Sequence, residues 1–164
     1  MKLFWAIAVG AAAGGVSRFY LASAIQQRFG ASFPWGTLAI NITGSLLLGF
    51  LIRYAMATPA ISAEVRAMLT VGFCGGYTTF SSYSYETLVL IEEGQAGRAV
   101  VYSLGSVVLA LIATFVGFTL ARELIAFRQH FVAHLCVDRK IVGKEISRVG
   151  RQLVDAFHLR LAEP

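Results

Sequence analysis

Gly72-Phe73-Cys74-Gly75-Gly76-Tyr77-Thr78-Thr79-Phe80-Ser81-Ser82-Tyr83-Ser84-Tyr85-Glu86 is loop chemistry set inside a long apolar segment. Three glycines fall within five residues, and a run of hydroxyls follows. In a bilayer every backbone polar group needs a partner, so irregular backbone survives there only inside protein or beside a polar cavity. A glycine-rich break in a hydrophobic helix therefore reads as a site. Carbonyls freed at such a break suit a cation, and freed N–H groups suit an anion. The competing reading is a close helix crossing, in which Gly72 and Gly76 let two backbones touch. The two readings are compatible.

Composition places the chain in a membrane. Of 164 residues 57% are hydrophobic and 14% charged, with a mean hydropathy of +0.68, whereas a soluble domain carries about 25% charged residues. At roughly 20 residues per helix there is room for about four spans and a tail. The net charge is +5 and gathers toward the C-terminus, where Arg128, Arg139, Lys140, Lys144, Arg148, Arg151 and Arg160 outweigh Asp138, Glu145, Asp155 and Glu163. A basic tail of this kind suits anionic lipid headgroups. Nothing else in the chain supports nucleic acid as a partner. Cys74 and Cys136 make neither a disulfide framework nor a metal spacing.

The first predicted span covers 3–27. Lys2 and Ala11-Ala12-Ala13 resemble a secretory leader, but the apolar run continues beyond them, and a retained span is expected. Gly10 and Gly14 form a second small-residue face. Arg18 lies inside this span; an intramembrane charge is by default a functional candidate, the alternative being an arginine that snorkels to the surface. The second span is expected over 35–57 after Pro34, which favours a first helical turn. Thr37, Asn41 and Ser45 recur there at steps of four and share a face, either as glue between helices or as a polar path. The third span covers about 66–91 and holds the break, beyond which Phe80, Tyr83 and Glu86 follow at steps of three. The fourth covers about 99–121, with Tyr102 and Ser106 on one face and Arg122-Glu123 at its exit. Beyond about 125, Ile146, Val149, Leu153, Phe157 and Leu161 recur at three and four among basic residues, the pattern of an amphipathic helix lying on a membrane or a partner. His130, His134 and Cys136 lack the second cluster that a zinc site needs.

Gly14-Gly15-Val16-Ser17-Arg18, Gly36-Thr37-Leu38-Ala39-Ile40-Asn41-Ile42-Thr43-Gly44-Ser45 and the Gly75-Gly76-Tyr77-Thr78-Thr79-Phe80-Ser81 run, in that order, closely resemble the Fluc (CrcB) fluoride channel family. The resemblance covers about 1–124 and leaves the 125–164 extension outside. It implies an all-α integral membrane protein with four transmembrane helices, the third broken, paired as an antiparallel dual-topology homodimer in the cell (inner) membrane. The implied activity is passive export of fluoride, with a central sodium ion. Carried onto this sequence, the sodium ligands are the main-chain carbonyls of Gly75 and Thr78. Asn41 is the pore amide and Phe80 the first pore ring. The second pore phenylalanine of the family falls on Tyr83. Glu86 matches an acidic position, and Tyr102 and Ser106 match a polar track on the fourth helix. Thr37, Ser45 and Arg18 complete the expected pore lining.

Residue chemistry agrees in outline. A buried ion needs donors in place of water, held loosely enough to let it leave. Asn41, the hydroxyls and ring edges, where the aromatic quadrupole is positive, suit an anion. Residue chemistry alone reads as a path for a small ion; fluoride comes from the resemblance. A small dimeric four-helix transporter of the multidrug type is the alternative, but such proteins carry a carboxylate deep in the first span, where this chain has Arg18 and no acid. A helix-packing assembly protein leaves Asn41 unexplained. No cluster of embedded His, Cys or carboxylates suggests an enzyme. For topology, Lys2, Arg53, Arg66 and Arg122 flank one face and Arg28 and Arg98 the other, a weak bias under the positive-inside rule and one compatible with insertion both ways.

Overall fold

The computed structural model describes the backbone of residues 1–161 and the side chains of 1–131 together with Ser147 and Arg148. No strand occurs among the described residues. Helix α1 runs over Lys2–Phe29, α2 over Trp35–Met56 and α3 over Ala63–Ala67. A π-helical segment, Met68–Cys74, continues α3 into the single turn α4, Gly75–Tyr77. After a break, α5 covers Phe80–Glu92 and α6 Ala96–Leu161. Among the described residues, three helices are long and apolar enough to cross a membrane: α1, α2, and α6 over Ala96–Phe131. The chain forms two compact units, Met1–Glu123 and Leu124–Pro164.

Local chemistry explains most of the boundaries. Gly30 and Gly94 close α1 and α5 with φ of 84° and 73°, a left-handed region that glycine enters without a Cβ penalty. Ser62 caps α3, its Oγ accepting from Val65 N at 3.3 Å. Glu64 stands in that first turn, where its own backbone N–H and the Ser62 hydroxyl hold its carboxyl below the usual carboxylate range. The expected fourth span differs most. Helix α6 continues through Arg122-Glu123 to Leu161, because no proline stands in that stretch and its glycines lack the left-handed backbone that ends a helix. The amphipathic positions Ile146, Val149, Leu153, Phe157 and Leu161 lie outside the residues whose side chains are described, as do His134 and Cys136.

Small residues set the helix crossings of the first unit. Helix α1 lies along the π-helical segment. A methyl group at Gly10 would stand 3.0 Å from Phe73 N, and one at Gly14 would stand 2.9 Å from Tyr77 N and overlap the Phe73 carbonyl oxygen. Reciprocally, methyl groups at Gly72 and Gly76 would stand 2.6 Å from Ile7 O and 2.5 Å from Ala11 O. The Gly72/Gly76 pair is thus a true close crossing, and the break follows directly after it. A second such crossing joins α2 to α6 at Gly49 and Gly117, where added methyl groups would stand 3.0 Å from the Thr114 carbonyl carbon and 2.9 Å from Phe50 N; no motif in the sequence pointed to it.

Candidate functional site: a broken helix beside two cavities

The break is two residues long. Thr78 (φ −89°, ψ 157°) and Thr79 (φ −148°, ψ 118°) are extended. The last helical bond before them runs from Thr78 N to Cys74 O at 3.0 Å. Thr79 N leaves the helix and donates to Asn41 Oδ1 at 2.8 Å, while Asn41 Nδ2 donates to Thr79 O at 3.0 Å. Thr79 then caps α5, its Oγ1 accepting from Ser82 N at 3.2 Å. The Gly75 carbonyl, which a continuing helix would have paired with Thr79 N, is left without that donor. Gly75 and Thr78 thus present main-chain oxygens of the kind that hard cations accept. Among the described residues no group of three or more His, Cys, Asp or Glu is gathered for a metal.

Asn41, Ser45, Thr78, Thr79, Phe80, Tyr83 and Ser106 line one cavity of about 240 Å³. Ser106 is the telling member: its residue is 6% exposed, and its Oγ is buried without a hydrogen-bond partner. Phe80 is 77% exposed and its ring lies 5.3 Å from that of Tyr83. The Tyr83 hydroxyl points away from this ring pair and donates to Ser103 O at 3.4 Å. Tyrosine at this position thus spends its hydroxyl on α6 and leaves its ring beside the cavity.

Thr37 and Glu86 line a second cavity of about 440 Å³, together with Gln26, Phe33, Tyr85 and Glu93. Both Glu86 oxygens are taken by hydroxyl donors, Thr37 Oγ1 at 2.7 Å and Tyr102 OH at 2.7 Å. Tyr102 is 1% exposed, and its ring lies between those of Tyr83 at 5.4 Å and Phe33 at 5.5 Å. Two expected residues of the α2 stripe therefore serve different cavities: Thr37 meets Glu86, Asn41 meets the break. Arg18 is half-buried on α1 and lines neither cavity. Gln26 was not anticipated. Its Nε2 donates to Gly30 O at 2.6 Å and Phe33 O at 2.9 Å, and its Oε1 accepts from Gly36 N at 3.1 Å. One side chain thereby shapes the loop at the larger cavity's mouth. Two adjacent glutamines near a helix end, Gln26 and Gln27, carry no sequence signal of which one does this.

Residues 5–118 match the model of the CrcB-like protein family, Camphor Resistance (CrcB). The chain belongs to the CrcB family. The fluoride-specific ion channel FluC of Geobacter sulfurreducens is 45% identical over 124 residues, covering 76% of this chain and 100% of the relative. That of Aquifex aeolicus is 41% identical over the same shares. That of Methylococcus capsulatus is 49% identical over 124 residues, which make up 54% of its length. Both the broken helix and the two cavities fall within the CrcB match. Membership and the apolar helices make this a multi-pass membrane protein.

Proposed function

We propose that the chain is the subunit of a fluoride-selective channel that lets fluoride leave the cytoplasm passively. One observation carries the reading beyond the names of the relatives. The smaller cavity is lined by a buried hydroxyl with no partner, Ser106, and by an amide with an N–H to spare, Asn41. A buried donor left unpaired costs about 1–3 kcal/mol, and an anion passing the cavity satisfies it. Asn41, Ser45 and Ser106 supply donors, and Phe80 and Tyr83 supply ring edges. Glu86, its two oxygens bonded by Thr37 and Tyr102, lines the larger cavity.

The Gly75 and Thr78 carbonyls suit a sodium ion, which when bound adds positive charge near the anion path. Gly75 is exposed, and no atom lies within 4 Å of where its Cβ would be. Nothing within this chain therefore requires glycine there, whereas a second copy approaching backbone to backbone does. That favours an antiparallel homodimer of four-span subunits, the third span being the broken helix, with lipid around it. The basic residues of the 125–164 extension suit anionic lipid headgroups. The test is efflux from liposomes that hold the purified protein. Fluoride leaves much faster than chloride and without a proton gradient, and replacing sodium by N-methylglucamine lowers the rate. Equal fluoride and chloride efflux, or a strict need for a proton gradient, overturns the channel reading.

A further inference from the structure

We infer that Asn41 is a positioning residue as well as a pore group: its amide stands in for a peptide unit of the third span and keeps that span broken. The step from a broken helix to an open Gly75 carbonyl rests on the sodium reading above, but the holding of the break does not.

A primary amide offers an N–H donor and a carbonyl acceptor side by side in a single plane, the kinds of group that a peptide offers, with a second N–H besides. Asn41 presents both to one residue, taking the Thr79 N–H at 2.8 Å and bonding the Thr79 carbonyl at 3.0 Å. The pairing is the two-bond exchange of facing residues in an antiparallel sheet, and Thr79 has the extended backbone it requires. The network also fixes which amide atom is oxygen, since the Thr79 N–H must meet an acceptor and the Thr79 carbonyl a donor. Thr79 is buried, so its peptide groups cannot turn to water instead. Deprived of Asn41, the Thr79 N–H has the Gly75 carbonyl as its natural partner, and the helix propagates across the break.

The neighbours of Asn41 on α2 act in the same sense. Thr43 Oγ1 lies 2.9 Å from the Tyr77 hydroxyl, and a methyl on Gly44 would overlap the Thr78 methyl and stand 2.9 Å from Tyr77 Cδ1. Three positions of α2 thus hold three successive residues, Tyr77, Thr78 and Thr79. No other side chain at position 41 reproduces the pairing. Aspartate lacks the donor, leucine lacks both groups, and glutamine is longer by one methylene. Because only one amide hydrogen is spent on Thr79, the other is left for the cavity.

The experiment uses the full chain in lipid nanodiscs with labelled threonine. The Thr79 carbon shifts and amide hydrogen exchange are compared in the parent, Asn41→Leu, Asn41→Asp and Ser45→Ala; the last changes the same helix face without touching Thr79. We expect extended-type shifts for Thr79 in the parent and in Ser45→Ala. In Asn41→Leu the shifts move to helical values, or the amide exchanges roughly tenfold faster or more. Asn41→Asp keeps the acceptor and loses the donor, and it decides the case if Asn41→Leu does not fold. Thr79 shifts and exchange that match the parent in the Asn41 variants overturn the proposal, even if flux falls, since Asn41 would then act only on the ion. A parent whose flux ignores sodium removes the sodium reading instead and leaves the Thr79 shifts to judge Asn41.

Discussion

Gly14→Ala tests whether backbone contact with α1 positions the break. The added methyl would overlap the Phe73 carbonyl oxygen and stand 2.9 Å from Tyr77 N. Clearing Tyr77 N alone to an ordinary contact of 3.4 Å needs about 0.5 Å of separation, and the carbonyl overlap demands more. Neither obstacle is the end of a flexible side chain, so helix backbones must part. Overpacking of this kind costs about 1–3 kcal/mol. Against it stands the helix preference of alanine over glycine, about 1 kcal/mol. Gly15→Ala supplies the control, because its methyl meets nothing within 4 Å and its helix preference is the same. The difference between the two variants therefore isolates the clash, and it is expected at about 1–3 kcal/mol. Reversible unfolding in mixed micelles, followed by Trp5 and Trp35 fluorescence, measures it. Fluoride flux is expected to fall in Gly14→Ala and to hold in Gly15→Ala, since Tyr77 adjoins Thr78. If the two variants unfold together, the crossing is loose and α1 does not position the break.

Stability and flux are expected to part company at Ser106. Ser106→Ala removes a buried hydroxyl without a partner, so folding is neutral or gains up to about 1 kcal/mol while fluoride efflux slows; a clear loss of stability would mean that the hydroxyl is bonded in the folded protein. Tyr102→Phe strips one of two hydroxyl donors from Glu86 and is expected to cost about 1–3 kcal/mol in the same unfolding assay, with no cost expected if water in the larger cavity replaces the donor. At Glu64, whose carboxyl is held below the ordinary range, the stabilising effect on α3 is present above the ordinary carboxylate pKa and is lost as pH falls through the lower folded value. The protection of the amides of residues 62–67, taken relative to their intrinsic exchange rates, is therefore expected to fall below about pH 4, and not to do so in Glu64→Gln.

The sequence announced the break because two signals coincide there: glycines that end helical propensity and hydroxyls that have no place in a lipid-facing helix. The Thr37, Asn41 and Ser45 stripe was legible from its spacing of four, though not its division, since Thr37 meets Glu86 and Asn41 meets Thr79 only through the way α5 turns after the break. The π-helical segment was not legible. Met68–Cys74 carries no residue pattern that sets five-residue hydrogen bonding apart from the ordinary helical kind. Tyr83 shows the limit of analogy by ring type, for only the structure reveals that its hydroxyl is occupied by Ser103. The continuation of α6 past Arg122 followed the absence of a stop signal more than the change in polarity.

A π turn closes its hydrogen bonds over five residues rather than four, so Met68–Cys74 holds slack that an α-helix lacks. Removing one residue from that run leaves its two flanks able to rejoin as ordinary helix, with the residues on either side still facing as before. The same deletion ahead of Asn41 in α2 rotates every later position by about 100° and carries the amide off Thr79. Length variation is thus absorbed on one side of the break and forbidden on the helix opposite, which makes Met68–Cys74 the place in the membrane where this chain can lose a residue and keep its ion path.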